Sequence, residues 1–95
     1  MNLPIVWSDT AELTFDSIVT YIESIWGEKS AGKFVRRVNR MFSNLSEHPY
    51  LFRSISLADD VRIGLITPQV SVVYKIHSDH IYLLYFWDNR QQPIT

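Results

Sequence analysis

The stretch VRIGLITPQVSVVYKIHSDHIYLLYFWD, residues 61–88, decides the fold. Its apolar side chains recur with a period of two, which a strand produces by sending successive side chains to opposite faces. In its first part Val61, Ile63 and Leu65 share one face, and Arg62, Gly64 and Ile66 the other. In its second part Val70, Val72, Tyr74 and Ile76 oppose Ser71, Val73, Lys75 and His77. The breaks TPQ and HSDH are short enough for hairpin turns, so the three segments read as an antiparallel meander. The third segment, HIYLLYFW, is apolar on both faces, as expected of a strand in a central position.

Upstream the period lengthens. Ala11, Phe15, Ile18, Ile22 and Ile25 recur at spacings of four and three, with Val19 and Trp26 widening the stripe, which is one face of a helix. Ser8 or Asp9 caps its start, and Glu12, three residues after Asp9, completes a capping box. Gly27 supplies the left-handed residue that ends it. A second stripe follows in Ala31, Phe34, Val35, Val38, Met41, Phe42 and Leu45, with Lys29, Lys33, Arg36, Arg37 and Arg40 on the other positions. Pro49 disfavours helical geometry at His48 and closes this helix. So short a link predicts an antiparallel helical hairpin. Before it, LPIVW (residues 3–7) reads as an edge strand, with Pro4 near its start where proline is tolerated.

The expected order is therefore β-α-α-β-β-β, an α+β fold with a helical hairpin packed on one face of a small, mostly antiparallel sheet. A chain of 95 residues with 46% hydrophobic content has material for one core, so residues 1–95 are expected to form a single domain. Nine basic against ten acidic residues give a net charge of -1, and no global field draws the chain to nucleic acid. The absence of cysteine excludes disulfides and thiolate metal sites. The start, MNLPIVWSD, has no basic leader and too short an apolar run for a signal peptide or membrane span, so a cytoplasmic setting without membrane contact is expected.

If both helices cover the Val70, Val72 and Tyr74 face, the other face carries Arg62, Ser71, Val73, Lys75 and His77 without a lid, and Val73 and Ile66 are exposed apolar positions. The closing DNRQQP lies beside it. Arg90 has two readings, a functional group launched from a rigid strand or a surface ion pair with Asp88. His77, Asp79 and His80 in HSDH read as a tight turn rather than a metal site, and Asp59 and Asp60 as a solvated turn. Tyr82, Tyr85, Phe86 and Trp87 read as core packing, with base stacking as the alternative. The stripe of Lys29, Lys33, Arg36, Arg37 and Arg40 is a wet helix face, and also a local basic cluster open to nucleic acid or an acidic partner. No cofactor is called for, and no metal.

The opening Trp7 and helix, the hairpin segment GEKSAGKF (27–34), HPY (48–50), the strands VRIGLI and VSVVYKI, and the ending IYLLYFWDNRQQP (81–93) together resemble the RelE/ParE superfamily of toxins from type II toxin–antitoxin modules. The likeness spans nearly the whole chain, and the ending is most similar to the ParE-like, plasmid-stabilisation branch. The resemblance implies a cytoplasmic toxin wrapped by extended and helical segments of a cognate antitoxin, with a homodimer as a further state when antitoxin is absent. It also implies one of two targets: RelE-type members cut mRNA on the ribosome, and ParE-type members inhibit DNA gyrase. Nuclease members carry a middle-strand arginine, which falls on Ser71 here, and a terminal tyrosine, which would lie beyond Thr95. The second nuclease arginine falls on Arg90. Cleaving RNA through its 2′-hydroxyl needs a base to take that proton, a cation to hold the developing charge and an acid for the leaving oxygen, for which Arg62, Lys75 and Arg90 with His77 or His80 are the candidates. The resemblance therefore ranks a gyrase inhibitor first, a metal-independent mRNA endonuclease second, and a degenerate toxin that only binds antitoxin third. The expected contact residues for target or antitoxin are Arg62, Ile66, Val73, Lys75, Trp87, Asn89 and Arg90.

Overall fold

The computed structural model describes residues 2–56 and 59–90. The chain runs β1 (Ile5–Trp7), α1 (Asp9–Trp26), α2 (Glu28–Glu47), β2 (Arg53–Ser56), β3 (Val61–Thr67), β4 (Val70–Ile76) and β5 (Ile81–Asp88). The strands form one sheet in the order β1-β5-β4-β3-β2, in which β1 lies parallel to β5 and every other neighbour is antiparallel. The helical hairpin and the meander are as the periodicities require. The strand β2 adds a fourth member after the helices; its sequence RSIS carries little apolar signal because it forms the sheet's edge. The last strand is interior, between β1 and β4, and β4 holds the middle.

The helix α1 starts at Ser8, whose Oγ accepts from the Ala11 N–H at 2.9 Å and donates to the Leu84 carbonyl at 3.0 Å. The cap is thus Ser8 with Ala11, not a box between Asp9 and Glu12. One hydroxyl serves both the helix end and the sheet, where β5 has run past the last residue of β1. Six residues on, Thr14 also joins helix to sheet, its Oγ1 accepting from the Phe86 N–H at 2.9 Å and donating to the Thr10 carbonyl at 2.8 Å. Gly27 joins the helices at φ 91°, a left-handed conformation that L side chains rarely adopt. Its N–H donates to the Glu23 carbonyl at 2.8 Å, and its own carbonyl accepts from the Ala31 N–H at 3.1 Å.

The core fills the space between the hairpin and one face of the sheet. Trp7 meets Phe15, Phe42 and Phe86 at ring separations of 5.1, 5.7 and 5.4 Å, an aromatic centre that ties β1, both helices and β5 together. Val72, Tyr74, Ile81 and Leu83 complete it. Burial pushes the Tyr74 phenol well above its ordinary pKa, and its hydroxyl donates to the Pro49 carbonyl at 3.4 Å. Ile25 and Trp26, placed by their spacing on the core stripe, are exposed and lie outside this cluster.

Cross-strand partners share a face, and the register places several residues differently from the expectation. Arg62 pairs with Tyr74 and Gly64 with Val72, so the Arg62, Gly64 and Ile66 set lies on the helix side. Ile66 is buried there, and a Cβ on Gly64 would collide with Met41 and press on Phe52. The opposite face carries Val61, Ile63 and Leu65 with Lys75, Val73 and Ser71. Between Val73 and Tyr74 the β4–β5 register shifts, so that Tyr74 pairs with Leu83 and Val73 with Tyr85. The extra residue reverses the parity of β5: Leu83 and Phe86 both reach the core, while Tyr82, Tyr85 and Trp87 line up with Lys75, Val73 and Ser71 on the far face. Of the aromatic quartet, Phe86 alone is core.

Candidate functional site

A groove of about 920 Å³ runs between α2 and the β3–β4 hairpin. Ile22, Phe34, Met41, Leu65, Ile66 and Val70 make its apolar floor and sides. Lys33, Arg36, Arg37 and Arg40 bring positive charge, and Trp26 and Arg90 complete the lining. The four α2 cations follow from sequence: at positions 33, 36, 37 and 40 they fall within two turns on one flank of a helix whose other flank holds Phe34, Val38, Phe42 and Leu45 in the core. Among the described residues no Asp or Glu lines the groove, and no ion pair engages these four groups. A chain with a formal charge of -1 thus concentrates positive charge along one cleft.

Arg90 occupies the turn that follows β5. The Asp88 carboxylate accepts from the Arg90 backbone N–H and from Nε at 2.9 Å each, and from Nη2 at 2.7 Å. The guanidinium lies 4.8 Å over the Tyr21 ring. These bonds hold the Asp88 carboxyl below the usual carboxylate range and raise Arg90 further above its own. Asn89 secures the turn from the other side: its backbone N–H donates to the Gln69 carbonyl at 2.6 Å, and its side-chain amide donates to Ser71 Oγ at 2.8 Å. The surface ion pair with Asp88 is thus present, and it fixes a guanidinium that also lines the basic groove.

Apart from Ile66, which lies in the groove floor, the remaining expected contact residues do not gather there. Arg62 sits on the helix side, near the other end of β3; its Nη1 donates to the Phe52 carbonyl at 2.8 Å, its Nε to Asp60 at 3.2 Å, and its guanidinium lies 4.8 Å over Tyr50. That is a structural clasp, not part of an open basic face. Ile66 and Val73 are buried, the first beneath α2 and the second between Ile63 and Tyr85 on the far face, so neither is an exposed apolar contact. Lys75 and Trp87 are half-buried on that far face. Of the expected set, Ile66 and Arg90 line the groove, and Asn89 braces the turn that carries Arg90. The groove's partnership between α2 and the C-terminal turn was not foreseen, although the 33-36-37-40 spacing was the available signal.

The HSDH segment forms the β4–β5 turn, with the His77 N–H donating to the His80 carbonyl at 2.8 Å. Its imidazoles stack at 4.4 Å and 9°, and His80 Nδ1 lies 2.7 Å from Asp79. Parallel rings so close direct their in-plane lone pairs along separate planes. Among the described residues no group of three or more His, Asp or Glu side chains converges as metal ligands. Asp60 adopts φ 53° in the turn before β3, and its carboxylate accepts from Arg62 Nε, so this acid is partnered rather than left to solvent. No helix among the described residues is long and apolar enough to cross a membrane.

Comparison with known proteins accords with this architecture. The family model described as the ParE toxin of type II toxin–antitoxin system, parDE, matches residues 5–93. No curated protein matches the sequence. Among solved structures, the chromosomal ParDE toxin–antitoxin system from P. aeruginosa superposes with a TM-score of 0.75 at 17% identity, over 90% of this chain and 95% of that one. The YoeB dimer from Staphylococcus aureus gives 0.62 at 16% identity, covering 92% and 97% of the two chains. A chain of the E. coli DinJ-YafQ toxin–antitoxin complex gives 0.64 at 8% identity, covering 97% and 98%. These structural likenesses establish the fold, and the family match covers nearly all of the sequence. The chain belongs to the ParE toxin family of type II toxin–antitoxin systems.

Proposed function

We propose that this toxin acts in the cytoplasm by binding and inhibiting DNA gyrase, and that a cognate antitoxin holds it inactive. The observation that carries the reading is the dispersal of the groups a ribonuclease would need together. Arg62 is spent on the Phe52 carbonyl, and Lys75 faces away from it across the sheet. Arg90 follows Asp88, which pairs with Val70, whereas Arg62 pairs with Tyr74; four residues of β4 separate these rows, roughly 13 Å at about 3.3 Å per residue. Ser71, at the position of the nuclease arginine, is buried and bonded to Asn89. General acid–base work needs its groups within about 3 Å of one reacting centre. A rigid binding surface makes no such demand.

The groove supports the antitoxin half of the proposal. An apolar floor flanked by Lys33, Arg36, Arg37 and Arg40 is complementary to an amphipathic helix with acidic edges, the helix-in-groove mode of recognition. The free outer edge of β2 offers a strand-addition site for an extended segment of the same partner.

The test is a supercoiling assay with purified toxin and gyrase, paired with pulse labelling after induction in bacteria. The expected result is loss of supercoiling near stoichiometric toxin and arrest of thymidine incorporation before methionine incorporation. Unchanged supercoiling at excess toxin would sink the reading. Methionine incorporation failing first, with codon-linked mRNA cuts, would install the nuclease instead, and a chain that binds antitoxin but arrests nothing would be a degenerate toxin.

A further inference from the structure

At one end of the groove stands an exposed surface that the core does not account for and that shares Trp26 and Arg90 with the groove lining. Tyr21, Ile25 and Trp26, on the last two turns of α1, are 45%, 55% and 56% exposed, and none belongs to the core cluster. Isolated exposed apolar residues are ordinary, but these are contiguous and ordered against one another. The Trp26 and Tyr21 rings meet edge-to-face at 6.2 Å and 74°. Arg90 lies over the other partner in that pair, 4.8 Å from the Tyr21 ring, and Asp88 fixes its orientation through Nε and Nη2. The outcome is a continuous Arg-Tyr-Trp array, built by a helix end and a strand end that are sixty-nine positions apart in sequence (90 − 21).

Tryptophan, tyrosine and arginine are the residue types that dominate protein–protein hot spots: the two aromatics bury large areas with few rotors to immobilise, and arginine adds a planar fork of donors. Here two of the usual costs of binding are already met: the guanidinium is oriented before contact, and the two rings restrain each other. The surrounding field selects the partner. Trp26 and Arg90 both line the groove whose described lining holds Lys33, Arg36, Arg37 and Arg40, so on its groove side the array borders a basic wall, while Asp88 partners Arg90 and the charged residues of α1 itself are acidic.

We infer that Tyr21, Trp26 and Arg90 form the anchor by which the toxin grips its protein target, and that the target presents an apolar patch edged by carboxylates. The inference rests on the gyrase reading proposed above and names the toxin surface that would carry it. It separates the two partners spatially: the antitoxin helix fills the groove, and the target seizes the helix–tail corner at its mouth. Neutralisation then follows from the shared residues Trp26 and Arg90, which an occupied groove withdraws from the target.

The experiment compares Tyr21→Ala and Trp26→Ala with Leu13→Ala, an exposed apolar residue of the same helix outside the array. Each variant is assayed for melting temperature, inhibition of gyrase supercoiling, growth arrest on induction, capture of antitoxin, and sedimentation. Tyr21→Ala and Trp26→Ala are expected to raise the inhibitory concentration at least tenfold, about 1.4 kcal/mol, and to relieve growth arrest with melting unchanged. Leu13→Ala should stay within twofold of wild type. Full inhibition by the Tyr21 and Trp26 variants overturns the proposal. So does full inhibition accompanied by loss of antitoxin capture, which would hand the surface to the antitoxin, or by loss of a toxin dimer, which would hand it to a second copy. If wild type arrests growth without touching gyrase, the gyrase reading falls alone: relief of arrest in the two variants keeps the anchor for another target, and persistence of arrest overturns it. A wild-type chain that neither inhibits nor arrests overturns both.

Discussion

Two Asp-X-Arg units, Asp60-Val61-Arg62 and Asp88-Asn89-Arg90, use the same local chemistry for opposite ends. In each, the arginine pairs with the aspartate two residues before it and lies 4.8 Å over a tyrosine ring. They differ in what lies beyond the pair. Arg62 continues to the Phe52 carbonyl, and its side chain keeps only 17% of its exposure; Arg90 stands at the groove mouth with 38%. The first arginine closes the entrance to β3, whereas the second ends the sheet and presents itself. An ion pair with a neighbouring acid therefore does not by itself mark an arginine as structural or functional. Commitment of the remaining N–H groups to backbone is what distinguishes these two.

The widest separation between the units should come from removing each arginine. Arg62→Ala strips a charged donor from a partly buried carbonyl and from Asp60, and is expected to cost about 2 kcal/mol, with a melting temperature lower by about 8–16 °C for a domain of this size. Arg90→Ala should change stability by no more than about 1 kcal/mol, as exposed ion pairs do. Function should invert the ranking: at temperatures where both variants are folded, Arg90→Ala loses at least about tenfold in target inhibition, 1.4 kcal/mol, and Arg62→Ala keeps it. Urea denaturation and supercoiling assays on the two proteins measure all four quantities. Equal effects on stability would remove the distinction between clasp and anchor.

A second separation isolates the groove's field from the anchored guanidinium beside it. The double substitution Arg37→Glu with Arg40→Glu reverses charge on one wall and leaves Asp88, Arg90 and Tyr21 in place. Antitoxin affinity at low salt should fall by roughly one to two orders of magnitude, and the loss should shrink as added salt screens the wild-type attraction. Gyrase inhibition should fall less than in Arg90→Ala. Calorimetric titration across a salt series tests this, and an unchanged antitoxin affinity would mean that the groove's charge plays no part in holding that partner.

The contrast between the two arginines was out of reach of the sequence for a definable reason. Strand periodicity assigned each residue correctly within its own strand, as the opposition of Arg62 to Ile63 and of Lys75 to Tyr74 demonstrates. It could not assign which face of β3 joins which face of β4, because that depends on where the turn places the register. Gly64 was the overlooked sign: the helix-side surface needs an absent side chain there to admit Met41 and Phe52, which puts its neighbours Arg62 and Ile66 on the same side. In β5 the bulge after Leu83 was invisible because an apolar strand with no clear alternation gives no phase to break. The helices were legible almost throughout, since a stripe at spacings of three and four has only one way to face a sheet. Their failures, Ile25 and Trp26, extend that stripe to residues the core does not take, and those became the candidate contact surface. Arg90 was legible as a residue of interest, but its Tyr21 partner was not, because no local pattern couples a helix surface to a tail sixty-nine positions later (90 − 21).

The smallest expected effect tests whether the second unit is assembled before any partner arrives. The side-chain bond from Arg90 holds the Asp88 carboxyl below the usual carboxylate range. A depressed folded-state pKa means that the pair's contribution is present above the unfolded aspartate value of about 3.9 and is lost as pH falls through the lower folded value. Between pH 7 and about pH 5 nothing should change at this pair; its contribution declines below the unfolded aspartate value of about 3.9, and the carboxyl takes up its proton only as pH passes the lower folded value, leaving the guanidinium on Tyr21. The exposure of both groups limits the stability change to less than about 1 kcal/mol, too little for a melting curve to resolve cleanly. Carboxyl carbon shifts in an NMR titration resolve it directly. Wild-type Asp88 should titrate below the protein's solvated aspartates, and Arg90→Ala should bring it back towards them. If Asp88 titrates alike in both proteins, the guanidinium is not oriented in advance, and the array must pay the entropy of fixing Arg90 at the moment of binding. Only the clasp at Arg62 would then be preformed, and Tyr21 and Trp26 would have to supply the anchor's affinity without it.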